Sequence, residues 1–592
     1  MTTRIKVRHD TYQNWYDQNP TLALGEPAFE TDNNSIKYGD GTTAWRDLPY
    51  TGGGAKQNGA VAIGHQAGQN CQCCQAVAIG YRAGESCQGE GTVAIGEYAG
   101  NCDQCYHAIA IGTCAGYCSQ CSNAVAIGRS AGYNNQGFGA VALGQVTGQQ
   151  CQGTHSVAIG YGSGRYCQSA HSVAIGVVAG KNSQSEYSVA IGYEAGRCCQ
   201  GRSNNGHCSG GAVAIGNYAG YCNQQYHAVA IGDYAGTCSQ GFSAVAIGRS
   251  AGNCSQGHGA VAIGKVAGYC NQGCNSVAIG NYAGRWEQCC EAVAIGYYAG
   301  ECNQSCGSIA IGAYAGNCCQ GQGPWMSGGA IAIGRCAGYY CQEYHAIAIG
   351  ADAGTCYQGF SAVAIGRAAG NCNQGHGAVA IGKVAGNCCQ GQNAVAIGNF
   401  AGYNCQGTSG VSIGYYAGTY CQSDQAIAIG AYAGGGWRAC CSGNNYFQVQ
   451  ASSSPGDGSD YHVQLVDASY VLPGMFITNN GYNDVLITAV NYGTNTLTLD
   501  SLPNNGQIYA DNWFYIFGVQ GQNSIAIGSY AAYRVQHPNS IVINATGSEL
   551  KSVGEGTTAI QSLRQVSGGT APGGFSPVYW NPTTGELIVV TA

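Results

Sequence analysis

Thiols are the strongest nucleophiles in this chain and are abundant: of 35 cysteines in 592 residues, 33 fall between positions 60 and 433. They recur at a spacing of 16, as in Cys222, Cys238, Cys254 and Cys270, so in a stacked structure they form a column. Three chemistries are open to that column: small buried apolar side chains, disulfides formed after release from a reducing cytosol, or a metal site. Vertically adjacent residues come within disulfide range, yet parallel in-register side chains point the same way, which leaves bridging undecided. The pairs Cys73-Cys74, Cys198-Cys199 and Cys388-Cys389 resemble no zinc spacing and no histidine column matches them, so no metal ligand and no cofactor are assigned.

Two other columns run beside the cysteines. A glutamine stands eight residues past a recurring glycine, as at Gln72, Gln88, Gln104, Gln224, Gln240, Gln256, Gln390 and Gln406. In-register amides hydrogen-bond from rung to rung and satisfy polar groups that a closed roll buries, so the column is expected to be a structural ladder. Tyrosine recurs two past the same glycine, at Tyr98, Tyr218, Tyr234, Tyr282, Tyr298, Tyr314, Tyr416 and Tyr432. Those rings either line the surface and stack on sugars or fill a seam between chains. Paired carboxylates for glycoside hydrolysis need to stand roughly 5–10 Å apart. Glu97, Asp233 and Asp352 are isolated in the sequence, and Asp457, Asp460, Asp467, Asp484, Asp500 and Asp511 mostly sit in turn contexts. With no Gly-x-Ser-x-Gly elbow, phosphate loop or calcium nonapeptide, no enzymatic activity is expected.

The elements that position these columns follow from the period. The phrase [AS]-[VI]-A-I-G, with occasional single variants, ends at Gly64 and every 16 residues to Gly192, resumes from Gly216 to Gly312, and again from Gly334 to Gly430, giving 23 repeats. Val-Ala-Ile is short, β-branched and flanked by glycine, which predicts a strand, and the following x-x-Ala-Gly predicts a tight turn. The segment around Cys and Gln is then a second strand returning on the other side. Two strands and two turns per 16 residues predict an all-β fold, a parallel β-roll or β-solenoid whose rungs lie about 4.8 Å apart, on the order of 110 Å in all. A single rung buries nothing; stacking makes the core.

A longer period lies above this one. Segments beginning at Tyr106, Tyr226 and Tyr344 repeat at offsets of 120 and 118, which equal seven rungs plus eight and plus six residues. The extra residues fall near 201–208 and 321–327, and at the next equivalent rung, after Gly430, the chain leaves the repeat until Ser524-Ile-Ala-Ile-Gly528. Duplication of a seven-rung block, with a loop-out site enlarged into a domain, accounts for the pattern. The expected organisation is an N-terminal module over 1–50, a linker over 51–59, the roll over 60–433, an inserted antiparallel β-barrel or sandwich over 434–521, terminal rungs over 522–546 and a tail over 547–592. In the insert, Val463 to Val466, Val485 to Val490, Thr496 to Leu499 and Phe514 to Phe517 read as strands. In the roll, 22 of the 23 repeats keep the glutamine, and the last has Arg438 instead.

Composition removes several function classes. Charged residues are 9% and net charge is -7, so the basic groove that phosphate binding needs is lacking and no nucleic-acid partner is expected. Apolar runs stay far below the roughly 20 residues of a membrane span, and the start has no apolar signal core, so neither membrane insertion nor secretory routing is expected.

The repeat resembles the head repeat of trimeric autotransporter adhesins, the YadA-like left-handed parallel β-roll, across about 370 residues. The Gln column and the cysteines depart from that pattern, and the signal sequence and anchoring barrel of those adhesins are not found. The resemblance implies a homotrimer with an adhesive surface. The first 50 residues are similar to a module at the start of bacteriophage and related tail fibres, through Ile5-Lys-Val-Arg8, Trp15, Leu24-Gly-Glu-Pro27, Phe29-Glu-Thr-Asp32, Gly39-Asp-Gly-Thr-Thr43 and Trp45. It implies attachment to a virion baseplate, tail or capsid protein. The tail, with Leu563-Arg564 and Tyr579-Trp-Asn-Pro582, is similar to the segment preceding a self-cleaving chaperone in viral fibres. The function expected is a virion structural fibre, assembled in the host cytoplasm and acting outside it, that binds a host-surface glycan or protein. A self-assembling filament without a receptor and a tailspike polysaccharide depolymerase are the alternatives.

Overall fold

The computed structural model describes residues 7–32, 35–48, 59–202, 210–323, 328–435, 520–533, 536–544, 550 and 558–561, together with the backbone of the strands between 449 and 517 and between 578 and 589. Residues 51–58 of the predicted linker, the prolines of the insert, Val466, Phe514 and the Leu563-Arg564 pair lie outside these residues. The chain divides into two compact units, Met1–Trp286 and Glu287–Ala592.

The fold is an all-β parallel solenoid of 16-residue rungs, preceded by a small mixed sheet. Each rung begins with a phrase strand such as Val245–Ile247, turns through x-x-Ala-Gly, and returns through a strand such as Cys254–Gln256. Phrase strands pair in parallel with zero slip, Val245 on Val261 and Ala246 on Ala262. Return strands pair only through their outer two residues, Cys254 on Cys270 and Gln256 on Gln272. The reason is local: the middle residue of the return strand, here Ser255, sits at φ 53°.

The alternation inside Val-Ala-Ile decides what the interior contains. Successive side chains point to opposite faces, and it is alanine that faces in: Ala246, Ala262 and Ala278 are fully buried, while the flanking Val and Ile are half-buried on the outside. With the exceptions of Val266 and Val542, every buried apolar side chain of the described rungs is alanine. So narrow an interior makes both rung glycines obligatory. A Cβ on Gly248, at φ 125°, falls 2.6 Å from the Gly264 carbonyl oxygen, and one on Gly252, at φ 52°, falls 2.7 Å from the Gln256 amide oxygen.

The glutamines occupy the remaining interior. Gln224, for example, donates through Nε2 to the Val213 carbonyl (2.7 Å), the Ala228 carbonyl (3.1 Å) and the Oε1 of Gln240 (3.1 Å). In the first unit amide-to-amide bonds run from Gln88 to Gln168, from Gln184 to Gln240 and from Gln256 to Gln272. In the second they run unbroken from Gln288 to Gln536. Arg438 does not end the ladder. Gln520 enters the place expected at 438, accepting from Gln422 (2.9 Å) and donating to the Ile427 carbonyl (2.7 Å), so the insert leaves one rung and the chain completes that rung on its return.

Strands Val449–Ala451, Tyr461–Leu465, Phe476–Thr478, Val485–Asn491, Thr496–Leu499 and Tyr515–Phe517 of the insert form a six-stranded antiparallel sheet. Beyond the insert, Ile525–Ile527, Ile541–Asn544 and Thr558–Gln561 continue the parallel pairing, and Val578–Asn581 forms a hairpin with Glu586–Val589. Among the described residues no helix is long and apolar enough to cross a membrane.

The N-terminal module is built differently. Strand β1 (Arg8–Asp10) lies parallel to β2 (Pro27–Glu30), which pairs antiparallel with β3 (Ser35–Tyr38), and helix α1 (Tyr12–Gln18), whose N-cap is Thr11, lies between β1 and β2 in the chain. Trp15 and Trp45 stack at 5.8 Å in a core with Leu22, Ala28 and Leu48. Lys37 on β3 is buried, donates through Nζ to the carbonyls of Trp45 (2.8 Å) and Arg46 (3.3 Å), and lies 4.2 Å from the Trp45 ring centre. Burial lowers its ammonium to about 8, against the opposing pull of Glu30 and Asp47.

Two outcomes follow. Replacing Gln374 by Leu removes donors to Val363, Ala378 and Gln390 and strands buried acceptors, each worth about 1–3 kcal/mol. Hydrogen exchange should show the rungs flanking 374 losing at least about 2 kcal/mol of protection; unchanged protection would remove the ladder from the stability argument. For Lys37 the sign is set by a depressed cation: above about 8 the unfolded lysine binds more protons than the folded one, so stability rises with pH until the unfolded value near ~10.4 is passed. The urea midpoint for proteolysis within residues 7–48 of the full chain should therefore increase between pH 8 and 10.

Candidate functional site

Since the interior is the same in every rung, chemical individuality lies on the outside, where each rung presents two sheet faces and two turns. The outer face of the phrase strands is apolar. Ile365, Ile381, Ile397 and Ile413 are each 36% exposed on successive rungs, and a half-buried Val accompanies each one.

The outer part of the return strands carries the thiols, which corrects the expectation of small buried side chains. Among the described residues all the free cysteines are half-buried or exposed, because the inward position of that strand belongs to glutamine. Cys198, Cys222, Cys238, Cys254 and Cys270 pair in register, as do Cys356, Cys372 and Cys388. Several donate a thiol hydrogen bond to the preceding asparagine, Cys254 to Asn253 Oδ1 at 3.1 Å and Cys372 to Asn371 Oδ1 at 3.1 Å. Partial burial, then the neighbouring thiols, push Cys102, Cys222, Cys254, Cys318 and Cys372 up to about 11. Among the described residues one disulfide is present away from this column, Cys289–Cys306, joining neighbouring rungs at the second turn. Its two positions carry no periodic signal in the sequence. Among the described residues no group of three His, Cys, Asp or Glu is placed to hold a metal ion.

The first turn holds the tyrosine column. Tyr218 stacks on Tyr234 (5.0 Å), Tyr298 on Tyr314 (5.4 Å), and Phe400, Tyr416, Tyr432 and Tyr530 form one continuous stack. Tyr98 meets Tyr81 edge-on, and Tyr282 lies beneath the cations of Lys265 and Arg285. These rings spend their faces on one another. Apart from Tyr234, which is 41% exposed, the predicted tyrosines are half-buried.

The second turn carries an aromatic series that periodicity did not single out. Phe138 meets His155 edge-on at 5.2 Å, His155, His171 and Tyr187 stack at 5.1–5.4 Å, and two copies of a Tyr-Phe-His series recur as Tyr226, Phe242, His258 and Tyr344, Phe360, His376. In both copies the Phe backbone N–H donates to the His Nδ1, at 3.1 Å. The third copy differs by Glu343, whose Oε2 accepts from the same Phe360 N–H (2.9 Å) and lies 3.3 Å from His376 Nδ1. A groove of about 310 Å³ opens there, lined among others by Cys341, Glu343, Tyr357, Asn373 and His376.

Thiols held at about 11 are almost wholly protonated at pH 8, and the thiolate is the nucleophile. Iodoacetamide at pH 8 should therefore label Cys102, Cys222, Cys254, Cys318 and Cys372 on the order of 100-fold more slowly than an ordinary surface thiol of pKa about 8.5. The rate should climb about tenfold per pH unit up to 11. Labelling at the ordinary rate would contradict the environment described.

Residues 5–43 match the family model of the major tropism determinant N-terminal domain. No curated protein and no solved structure matches the chain. The matched segment contains β1 to β3, α1 and Lys37, so the fold of residues 7–48 and the family model concern the same module. The chain thus joins a module similar to the N-terminal domain of major tropism determinants to a long parallel β-solenoid.

Proposed function

We propose that this chain is the receptor-binding fibre of a bacteriophage-type virion: a trimeric β-roll shaft, joined to a tail, baseplate or capsid protein by its N-terminal module and binding a host-surface glycan or protein farther along. The observation that carries this reading is the match of residues 5–43 to a domain whose family is described as determining tropism. Assembly in the host cytoplasm and action outside it follow from that role. No catalytic step, cofactor, nucleic acid or membrane insertion belongs to the proposal.

Support for the trimer comes from the Val-Ile face. Parallel sheets are ordinarily covered on both faces, and here one outer face is thiol-bearing and polar while the other is an unbroken apolar stripe. An exposed stripe of that extent marks an interface. Its occupant must offer apolar contacts at the same rung spacing over many rungs, and a second and third copy of this chain do so in register. The likeness of the phrase to YadA-like head repeats points the same way.

Light scattering of the full chain should give a single species of about three times 60.6 kDa. The double substitution I365E and I381E, which places six carboxylates in a trimeric seam, should shift it toward one chain. A wild-type monomer, or open-ended growth, overturns the trimer. Particles carrying a chain without residues 1–50 should lack the fibre; normal incorporation would overturn the attachment role.

A further inference from the structure

We propose that the groove at Tyr357 is a subsite for a neutral hexopyranoside, placed on the side of the solenoid in the third copy of the seven-rung block. This deepens the reading of the chain as a host-binding fibre and rests on it for biological meaning, while the chemistry stands on the groove itself.

Tyr357 occupies the middle position of a return strand, where the other rungs carry Cys, Ser, Asn, Asp or Glu. There the left-handed backbone (φ 52°) turns the side chain outward, and Tyr357 is 63% exposed. Unlike the tyrosines of the first turn, its ring has no aromatic partner among the described residues. A free aromatic face of this kind, negative at its centre, receives the positively polarised C–H face of a pyranose.

Other groups of the groove supply hydroxyl recognition. Glu343 Oε2 accepts from the Phe360 N–H, which leaves Oε1 free to accept from sugar hydroxyls, and the exposed Asn373 amide both donates and accepts. Hydrogen bonds to a carboxylate are about twice as strong as neutral ones. The same charge repels anionic sugars, so the class is neutral. Gly359 and Gly375 line the groove between these walls without side chains, and the volume of about 310 Å³ suits a small ligand.

The duplicated block provides the comparison. At the positions of Tyr357, Glu343 and Asn373 the second copy has Ser239, Gln225 and Ser255, while Gly241, Gly257 and His258 match Gly359, Gly375 and His376. In the first copy Ser119 again stands in place of Tyr357. The framework is common to both later copies, and the Tyr357–Glu343 pair is confined to the third, although Asn135 of the first copy matches Asn373. On a trimer the site would act three times, which turns a weak monosaccharide contact into useful avidity.

The variants that test this are supplied by the chain itself. Tyr357→Ser and Glu343→Gln install residues already present at equivalent rungs, so both should fold, and thermal unfolding checks that. Calorimetry on the full chain would use the methyl glycosides of galactose, glucose, mannose and N-acetylglucosamine, with glucuronic acid and N-acetylneuraminic acid as anionic probes. The expected result is millimolar binding of at least one neutral glycoside, weakened at least tenfold by Y357S and several-fold by E343Q, with the acids binding more weakly than the neutral sugars. Failure of all four neutral probes, survival of binding in Y357S, or preference for the acids overturns the subsite. None of these results bears on fibre incorporation through residues 1–50, so failure of the subsite and failure of the fibre reading can be told apart.

Discussion

The width of the interior is the constraint on which the molecule depends. Two sheets only an alanine apart leave no room for the branched side chains that usually make a core, so hydrophobic burial per rung is small. What compensates is an amide. One glutamine per rung satisfies two inward carbonyls and links to the next amide, as Gln224 does with Val213, Ala228 and Gln240. Buried polar groups are costly when half-satisfied and specifying when complete. The ladder therefore fixes register as well as stability: a slip by one residue would put every amide opposite the wrong carbonyl. The glycines follow from the same narrowness, since a Cβ at Gly248 would strike the backbone and one at Gly252 would strike the amide.

Because the interior is used up by alanine, glutamine and glycine, larger apolar side chains other than Val266 and Val542 are expelled, and the expelled groups define the surface. Val and Ile form an apolar outer face. Thiols line the return strands, where partial burial and mutual proximity push those of Cys222 and Cys254 up to about 11. The first turn becomes a stack of tyrosines and the second a stack of mixed aromatics and histidines. A rung can exchange any of these without touching the ladder, which is why duplicated blocks with one framework can carry different grooves, as His258 and His376 illustrate.

Much of this was legible in the sequence and some of it could not be. The period, the two strands per rung and the glutamine column are visible because the structure repeats them without variation. The orientation of Val-Ala-Ile is not, since a three-residue alternation reads equally well with Val and Ile inside, and branched residues are the usual core. The cysteines misled for the same reason: a small residue type often found buried was expelled by the glutamine beside it. Gln520 was hidden by counting forward from Gly430; counting backward from Gly528 finds it, since the glutamine also stands eight residues before the next phrase glycine, as Gln406 does before Gly414. The Tyr357 groove has no periodic signal at all. It is a departure from the repeat, and such departures are conspicuous only once the repeat's geometry shows which neighbours they meet.

The loop-outs show how such a framework admits new parts. Amide bonds close across three interruptions, Gln200 to Gln224, Gln320 to Gln342 and Gln422 to Gln520. The first two detours begin after the return strand, whereas the third begins before it, after Gly435, so that the rung is finished by residues from the far side of the insert. The entropy of closing a loop grows only with the logarithm of its length. Residues 436–519 thus cost the solenoid little more than the shorter detours, provided that the residue re-entering the rung is a glutamine. Insertion is limited by the chemistry of one side chain rather than by size, and a domain can be gained or exchanged at such a place while the ladder beneath it stays intact.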